Sequence, residues 1–391
     1  MDTLSIILLL ASIYLIVYVI AQVVGVERLK ARGIEAGTPF LIMIKTQRLN
    51  SFLTRLGKRI PRAFFNLGVI VAFIGMGFGF WMFTDNLLKF FTTPNATGAG
   101  AVVPIIPGVT VTGLPLVYLM IGLAIALITH EFAHGLASAK DNIPIKSSGL
   151  LFLLVLFGGF VEPDDEVFEK QASPRDRMRL LAAGSYSNLI FALIVMIVLA
   201  NFSSLMSIGF NPPSGAYVYD MVSNGPAAGT LQIGDVVVGL NDTTIDRWAD
   251  VSIFMNDTLA HSNLTIDTLR GNFTITLGAS PSNASKGYIG IYGADYWAPK
   301  PGWEWIPGGP MYVFHSEQIL VWSFVILFSL ALFNLLPIPA LDGDKLLSNA
   351  LSLKIKNEKT LRRIMWPVRI LALSIIVLSI VLSLWFGKGL F

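Results

Sequence analysis

His130-Glu131-Phe132-Ala133-His134 closes a run, residues 101–129, that contains no charged side chain. A helix needs about 20 apolar residues to cross a bilayer core, and this run is long enough. Titratable groups inside a span cost roughly 2.5–3.5 kcal/mol each on insertion scales, so they persist mainly where they have a task. Two histidines four residues apart share one helix face and can grip one metal ion. A glutamate between them can take a proton from a metal-bound water. HExxH alone is a five-residue pattern of low specificity; HExxH ending an apolar span is far more restrictive.

The composition agrees with a membrane chain. Of 391 residues, 54% are hydrophobic and 14% charged, against about 25% charged in soluble proteins. The net charge of +3 makes no case for a nucleic-acid partner. Without cysteine there is neither a disulfide nor a thiolate ligand. His130, His134, His261 and His315 are the full histidine complement.

Residues 3–24, 63–84, 113–134, 180–202 and 319–341 qualify as spans, and residues 370–387 form a slightly shorter sixth. The first lacks a basic leader and a small-residue cleavage site, so it reads as a retained helix. Residues 149–161 are apolar but too short to cross. Acidic Glu162, Asp164, Asp165 and Glu166 follow them, which favours a re-entrant or interfacial hairpin. Lys and Arg concentrate in the connections 25–62, 139–179 and 342–369. The positive-inside rule makes these cytoplasmic and puts both termini outside. Asn-X-Ser/Thr sequons at Asn95, Asn201, Asn241, Asn256, Asn263, Asn272 and Asn283 all fall in connections assigned outside or at their membrane edge.

Residues 212–305 differ in composition, being rich in Asn, Asp, Thr and Gly with short β-branched runs. They read as a strand-rich domain, and GPAAGTLQIGDVVVGLNDTTI resembles the PDZ pattern. In that pattern Gly225–Ala228 would begin a short helix and residues 236–240 would form a strand. Such domains take an extended peptide as an added strand, so a peptide or a trimmed substrate end is an expected partner. The expected fold is an α-helical polytopic membrane protein. Residues 1–207 hold helices one to four, 208–305 an extracytoplasmic PDZ-like domain, and 306–391 helices five and six.

A catalytic zinc takes three protein ligands and leaves a position open. In this topology His261 and His315 lie on the wrong side. The helix running from residue 319 carries Asn334-Leu335-Leu336-Pro337-Ile338-Pro339-Ala340-Leu341-Asp342-Gly343 at its far end. It runs parallel to the HExxH helix, so Asp342 reaches a matching depth at about 1.5 Å per residue. Pro337 and Pro339 break the helix there. Asp344 competes for the ligand role. Asn188 and Asn334 are amides that could hydrogen-bond an extended substrate segment or serve as helix-to-helix bonds.

HEFAHG on one span and NLLPIPALDG on a later one resemble the two signature motifs of the site-2 proteases, intramembrane zinc metalloproteases. The resemblance implies that His130, His134 and Asp342 bind Zn2+ and that Glu131 is the general base and acid. It further implies hydrolysis of a peptide bond in the transmembrane helix of a single-span substrate within the lipid bilayer. LLAAGSYSNLIFAL resembles the family's third motif, centred on Asn188, with Ser185 where the family usually has proline. Gly158-Gly159-Phe160-Val161 resembles its membrane-dipping hairpin, and residues 38–46 are expected to add a β-like element. Two other classes compete. A non-catalytic scaffold would use the β-domain to bind partners. A zinc or proton transporter would need titratable groups spaced across the bilayer, and here they cluster at one depth.

Overall fold

The computed structural model describes residues 3–38, 41–92, 105, 110–153 and 156–385. The Asn95 sequon lies outside them. The described chain divides into two compact units, Met1–Ile197 with Ile319–Phe391, and Val198–Gln318.

The first unit begins with helices α1 (Thr3–Val24) and α2 (Val26–Ala31) and strands β1 (Ile34–Thr38) and β2 (Leu41–Lys45). Helix α3 (Gln47–Arg59) follows, its first turn capped by the Thr46 hydroxyl, which accepts from the Arg48 N–H at 3.3 Å. Then come α4 (Arg62–Thr92), α5 (Leu114–Lys140), strands β3 (Ile145–Leu153) and β4 (Leu156–Pro163), a π-helical turn at Val167–Gln171, and α6 (Pro174–Ala200). The second unit holds α7 (Phe202–Met206), β5 (Ala216–Met221), β6 (Val236–Leu240), β7 (Thr243–Thr244), α8 (Trp248–Met255), β8 (Asn263–Thr268), β9 (Gly271–Thr276), β10 (Gly278–Ser280), β11 (Asn283–Tyr288) and β12 (Ile291–Asp295). The chain closes with α9 (Pro310–Asn334), α10 (Asp342–Ser352) and α11 (Glu358–Trp385).

Among the described residues five helices, α4, α5, α6, α9 and α11, are long and apolar enough to cross a membrane. Helix α5 is not a terminal placement for HExxH: the helix continues beyond His134 to Lys140. Its Ala- and Leu-bearing continuation is strongly helix-forming and prolongs the span. α5 sits between two apolar clusters. Phe65, Ala72 and Met76 of α4 pack with Ala133 and Ala137 of α5, with residues 180–183 of α6 and with Leu346 of α10. Leu119 and Ala126 of α5 pack with Ala192 of α6 and with Ile326 and Leu327 of α9.

The short apolar stretch after α5 does not form a helix. β3 and β4 make an antiparallel hairpin with Leu153 paired to Leu156, and the sheet order is β1-β2-β3-β4. The element expected at residues 38–46 is β2, paired with β3. β4 lies flat on α5 because it carries Gly158 and Gly159. A Cβ there would stand 3.0 Å from Leu127 and 3.3 Å from Phe132.

In the second unit β12-β5-β6-β8-β9 run in order, with β7 on β6. The sheet packs Val218, Leu240, Ile266 and Leu277 into one core with Leu231 and Val251. β6 coincides with the strand expected at 236–240. The helix expected to start at Gly225–Ala228 is absent; the segment is a run of turns, and Gly229 takes φ +80°, a conformation that ends helices rather than extending them. The short helix among the strands of this unit is α8, Trp248–Met255, instead. The six sequon asparagines among the described residues are all exposed.

Candidate metal centre

His130 and His134 stand one turn apart on α5 and point into the α5–α6 contact, both buried. Their Nε2 atoms are 3.1 Å apart. Asp342, the first residue of α10, places Oδ2 3.2 Å from each. These three side chains form the described group able to hold a metal ion. His261 and His315 belong to the other unit.

The donor set fits zinc. The Nδ1 of His134 lies 2.8 Å from the Leu180 carbonyl, which can only accept. Nδ1 therefore carries the proton, which in the neutral ring leaves the Nε2 lone pair toward His130 and Asp342. Two imidazole nitrogens and a carboxylate oxygen make a known catalytic zinc set. An ion bound tetrahedrally at about 2.0–2.1 Å would space these atoms about 3.3–3.4 Å apart, close to the observed triangle.

Three local devices build the triangle. Gly184 of α6 faces the imidazoles, and a Cβ there would lie 2.6 Å from both Nε2 atoms. After α9 stops at Asn334, the chain folds back so that Gly343 meets the Leu335 carbonyl; a Cβ there would be 2.0 Å from that oxygen. Only glycine permits this approach, which sets the depth of Asp342. Third, Arg179 at the start of α6 donates to both Asp141 oxygens at 2.7 and 2.8 Å and to Asn66 at 3.2 Å. Asp141 caps the C-terminus of α5, so this pair ties α5 to α6 beside the Leu180 carbonyl.

Asp344 is not part of the triangle. Arg369 of α11 occupies both of its oxygens, at 2.7 and 2.8 Å. Glu131 is adjacent but separate, its Oε2 accepting from the Val161 N–H of β4 at 3.3 Å. Asn188 is fully buried; its Oδ1 accepts from the Thr129 hydroxyl at 2.9 Å, and its Nδ2 has no partner among the described residues. Ser185, beside Gly184, is also fully buried. Asn334 is half-buried at the end of α9. Gly184, the Leu180 carbonyl and the Arg179–Asp141 tie lay beyond sequence reasoning. The one available signal was a pair of opposite charges at the ends of adjacent spans.

A model of peptidase family M50 matches residues 118–376, a range that contains HExxH, Asn188 and Asp342. The chain belongs to peptidase family M50, the site-2 protease family. An uncharacterized protein of Methanocaldococcus jannaschii is 30% identical over 356 residues, 88% of this chain and 84% of that protein. A Clostridium perfringens protein, provisionally named a zinc metalloprotease, is 27% identical over 58% of this chain and 80% of its own length. Solved PDZ domains of SdrC-like proteins from Listeria innocua and Listeria monocytogenes match 20% of this chain. They are covered over 92% and 87% of their length, at 20% and 21% identity, each with a TM-score of 0.19. Membership of M50 makes this an integral membrane protein of a zinc metalloprotease family, in keeping with the five apolar helices among its described residues.

Proposed function

We propose that this M50 member is an intramembrane zinc endopeptidase that cuts a peptide bond in the transmembrane helix of a single-span membrane protein. The convergence of His130, His134 and Asp342 within 3.2 Å of one another, beside a span apolar enough for a bilayer, carries this reading. Those three side chains would hold the zinc. When bound, zinc would supply Lewis acidity and would lower the pKa of a water toward about 7.

Glu131, oriented by the Val161 N–H, takes the proton of the attacking water. As the C–N bond breaks, the same carboxyl returns that proton to the departing amine. The Nδ2 of Asn188, unpartnered among the described residues, and the amide of Asn334 are donors suited to an extended substrate backbone. Clustering of the polar groups at one depth favours hydrolysis over transport.

The test is Glu131→Gln in vesicles containing a single-span substrate. One zinc per chain should remain while cleavage falls at least about 100-fold, the lower range for general acid–base groups. Substantial residual hydrolysis in that variant overturns the mechanism.

The same proposal gives the chain six spans, with α1 as the first, and puts the basic connections in the cytoplasm. The β-rich unit then lies outside, a PDZ-like domain that screens substrates by the size of their outer parts. Its exposed sequon asparagines and sparse basic residues support that side. A cysteine placed at Asn263 should react with an impermeant maleimide added to intact cells. Reaction only after permeabilisation would invert the topology.

A further inference from the structure

Helix α3 has three chemically distinct faces. Asn50, Leu53 and Gly57 are buried against α5 and the β3 strand. A Cβ on Gly57 would stand 2.4 Å from the Leu136 carbonyl, and one on Gly135 would stand 2.9 Å from the Leu53 side chain. The Asn50 amide donates to the Ile145 carbonyl at 3.4 Å and accepts from the Ser148 hydroxyl at 2.5 Å. Rotation of α3 about its axis is therefore fixed.

What remains outward is divided in two. Leu49, Phe52 and Leu56 recur at helical spacing on one flank, with Phe52 56% and Leu56 38% exposed. Arg48, Arg55 and Arg59 share the adjoining flank, joined by Lys58, all exposed; the helix contains no acidic residue. An apolar strip beside a basic strip is the pattern of a helix lying in a bilayer interface. Position agrees: α3 ends at Arg59, and the 31-residue span α4 begins at Arg62. So short a link holds α3 at the membrane surface.

We propose that α3 lies in the bilayer interface, with Phe52 and Leu56 entering the acyl boundary and Arg48, Arg55 and Arg59 engaging anionic phospholipid headgroups. Basic side chains near an anionic leaflet are attracted to it within a Debye length. Because α3 grips α5 at Gly135 and Leu136, immediately after His134, this attachment sets the depth of the α5 end that carries both histidines.

The chain has no cysteine of its own, so single labels are clean. The full chain carrying Phe52→Cys, Leu56→Cys or Ser51→Cys, spin-labelled, is reconstituted in phosphatidylcholine vesicles and in an equal mixture with phosphatidylglycerol. Labels at 52 and 56 should collide preferentially with oxygen, which partitions into lipid, and the label at 51 with a water-soluble nickel complex. In a Leu56→Cys background, R48Q/R55Q/R59Q should move the label toward water and lower co-purified phosphatidylglycerol at least about threefold. Three outcomes overturn the proposal: labels at 52 and 56 as accessible to nickel as that at 51, shielding of both from oxygen and nickel alike as under a protein partner, or phosphatidylglycerol retention unchanged by the triple substitution.

Discussion

The β-rich unit buries Leu231, Leu240, Ile245, Leu264, Ile266 and Leu277 at 2% exposure or less, whereas on α4 of the membrane unit Ile70, Ile74 and Trp81 stand at 58, 66 and 60%. In the first, water expels apolar surface, at about 1.5–3 kcal/mol for each fully buried Leu or Ile. In the second, lipid is as apolar as leucine and exerts no such preference. Helices there must be fixed by close approach and by polar pairs. The membrane unit supplies both: Gly184 against the imidazoles, Gly57 against α5, Gly343 against the Leu335 carbonyl, and the Arg179–Asp141 and Arg369–Asp344 pairs. Polar residues hold the membrane unit in register, and three of them converge where a metal fits.

The sharpest break of this comparison is Gly184→Val. A branched side chain placed where even a Cβ would lie 2.6 Å from both Nε2 atoms must displace one histidine. Zinc content by metal analysis of the purified full chain should fall close to zero, with the β-rich unit unaffected. Retained stoichiometric zinc would show that α6 does not shape the centre. A milder effect is expected from Ile266→Ala. It opens a cavity in a water-driven core and should destabilise the β-rich unit by about 2–5 kcal/mol. Limited proteolysis of that unit should then accelerate at lower temperature while zinc per chain stays constant. Loss of zinc in this variant would deny that the two regions are stabilised separately.

Sequence reading reached different depths in the two regions for the same reason. The meeting of His130, His134 and Asp342 was legible because charge is rare in a span and spacing fixes the helix face. β6 was legible because Val236–Leu240 combines β-branching with turn residues on both sides. The extent of α5 was not, because hydropathy marks where lipid ends and says little of where hydrogen bonding ends; Gly135–Lys140 is less apolar yet still helical. The turns at Gly225–Ala228 depended on Gly229 adopting φ +80°. What holds Asp344 away from the triangle was not legible either, because its partner Arg369 sits 25 residues beyond it. The Leu180 carbonyl has no sequence signature at all.

The central claim is that residues from α5 and α10 meet to hold one zinc. Metal analysis of purified wild-type and Asp342→Asn protein after dialysis against a weak chelator tests it most directly. One zinc per wild-type chain and little or none in Asp342→Asn is the predicted result; full zinc in the variant, with cleavage undiminished, would contradict it.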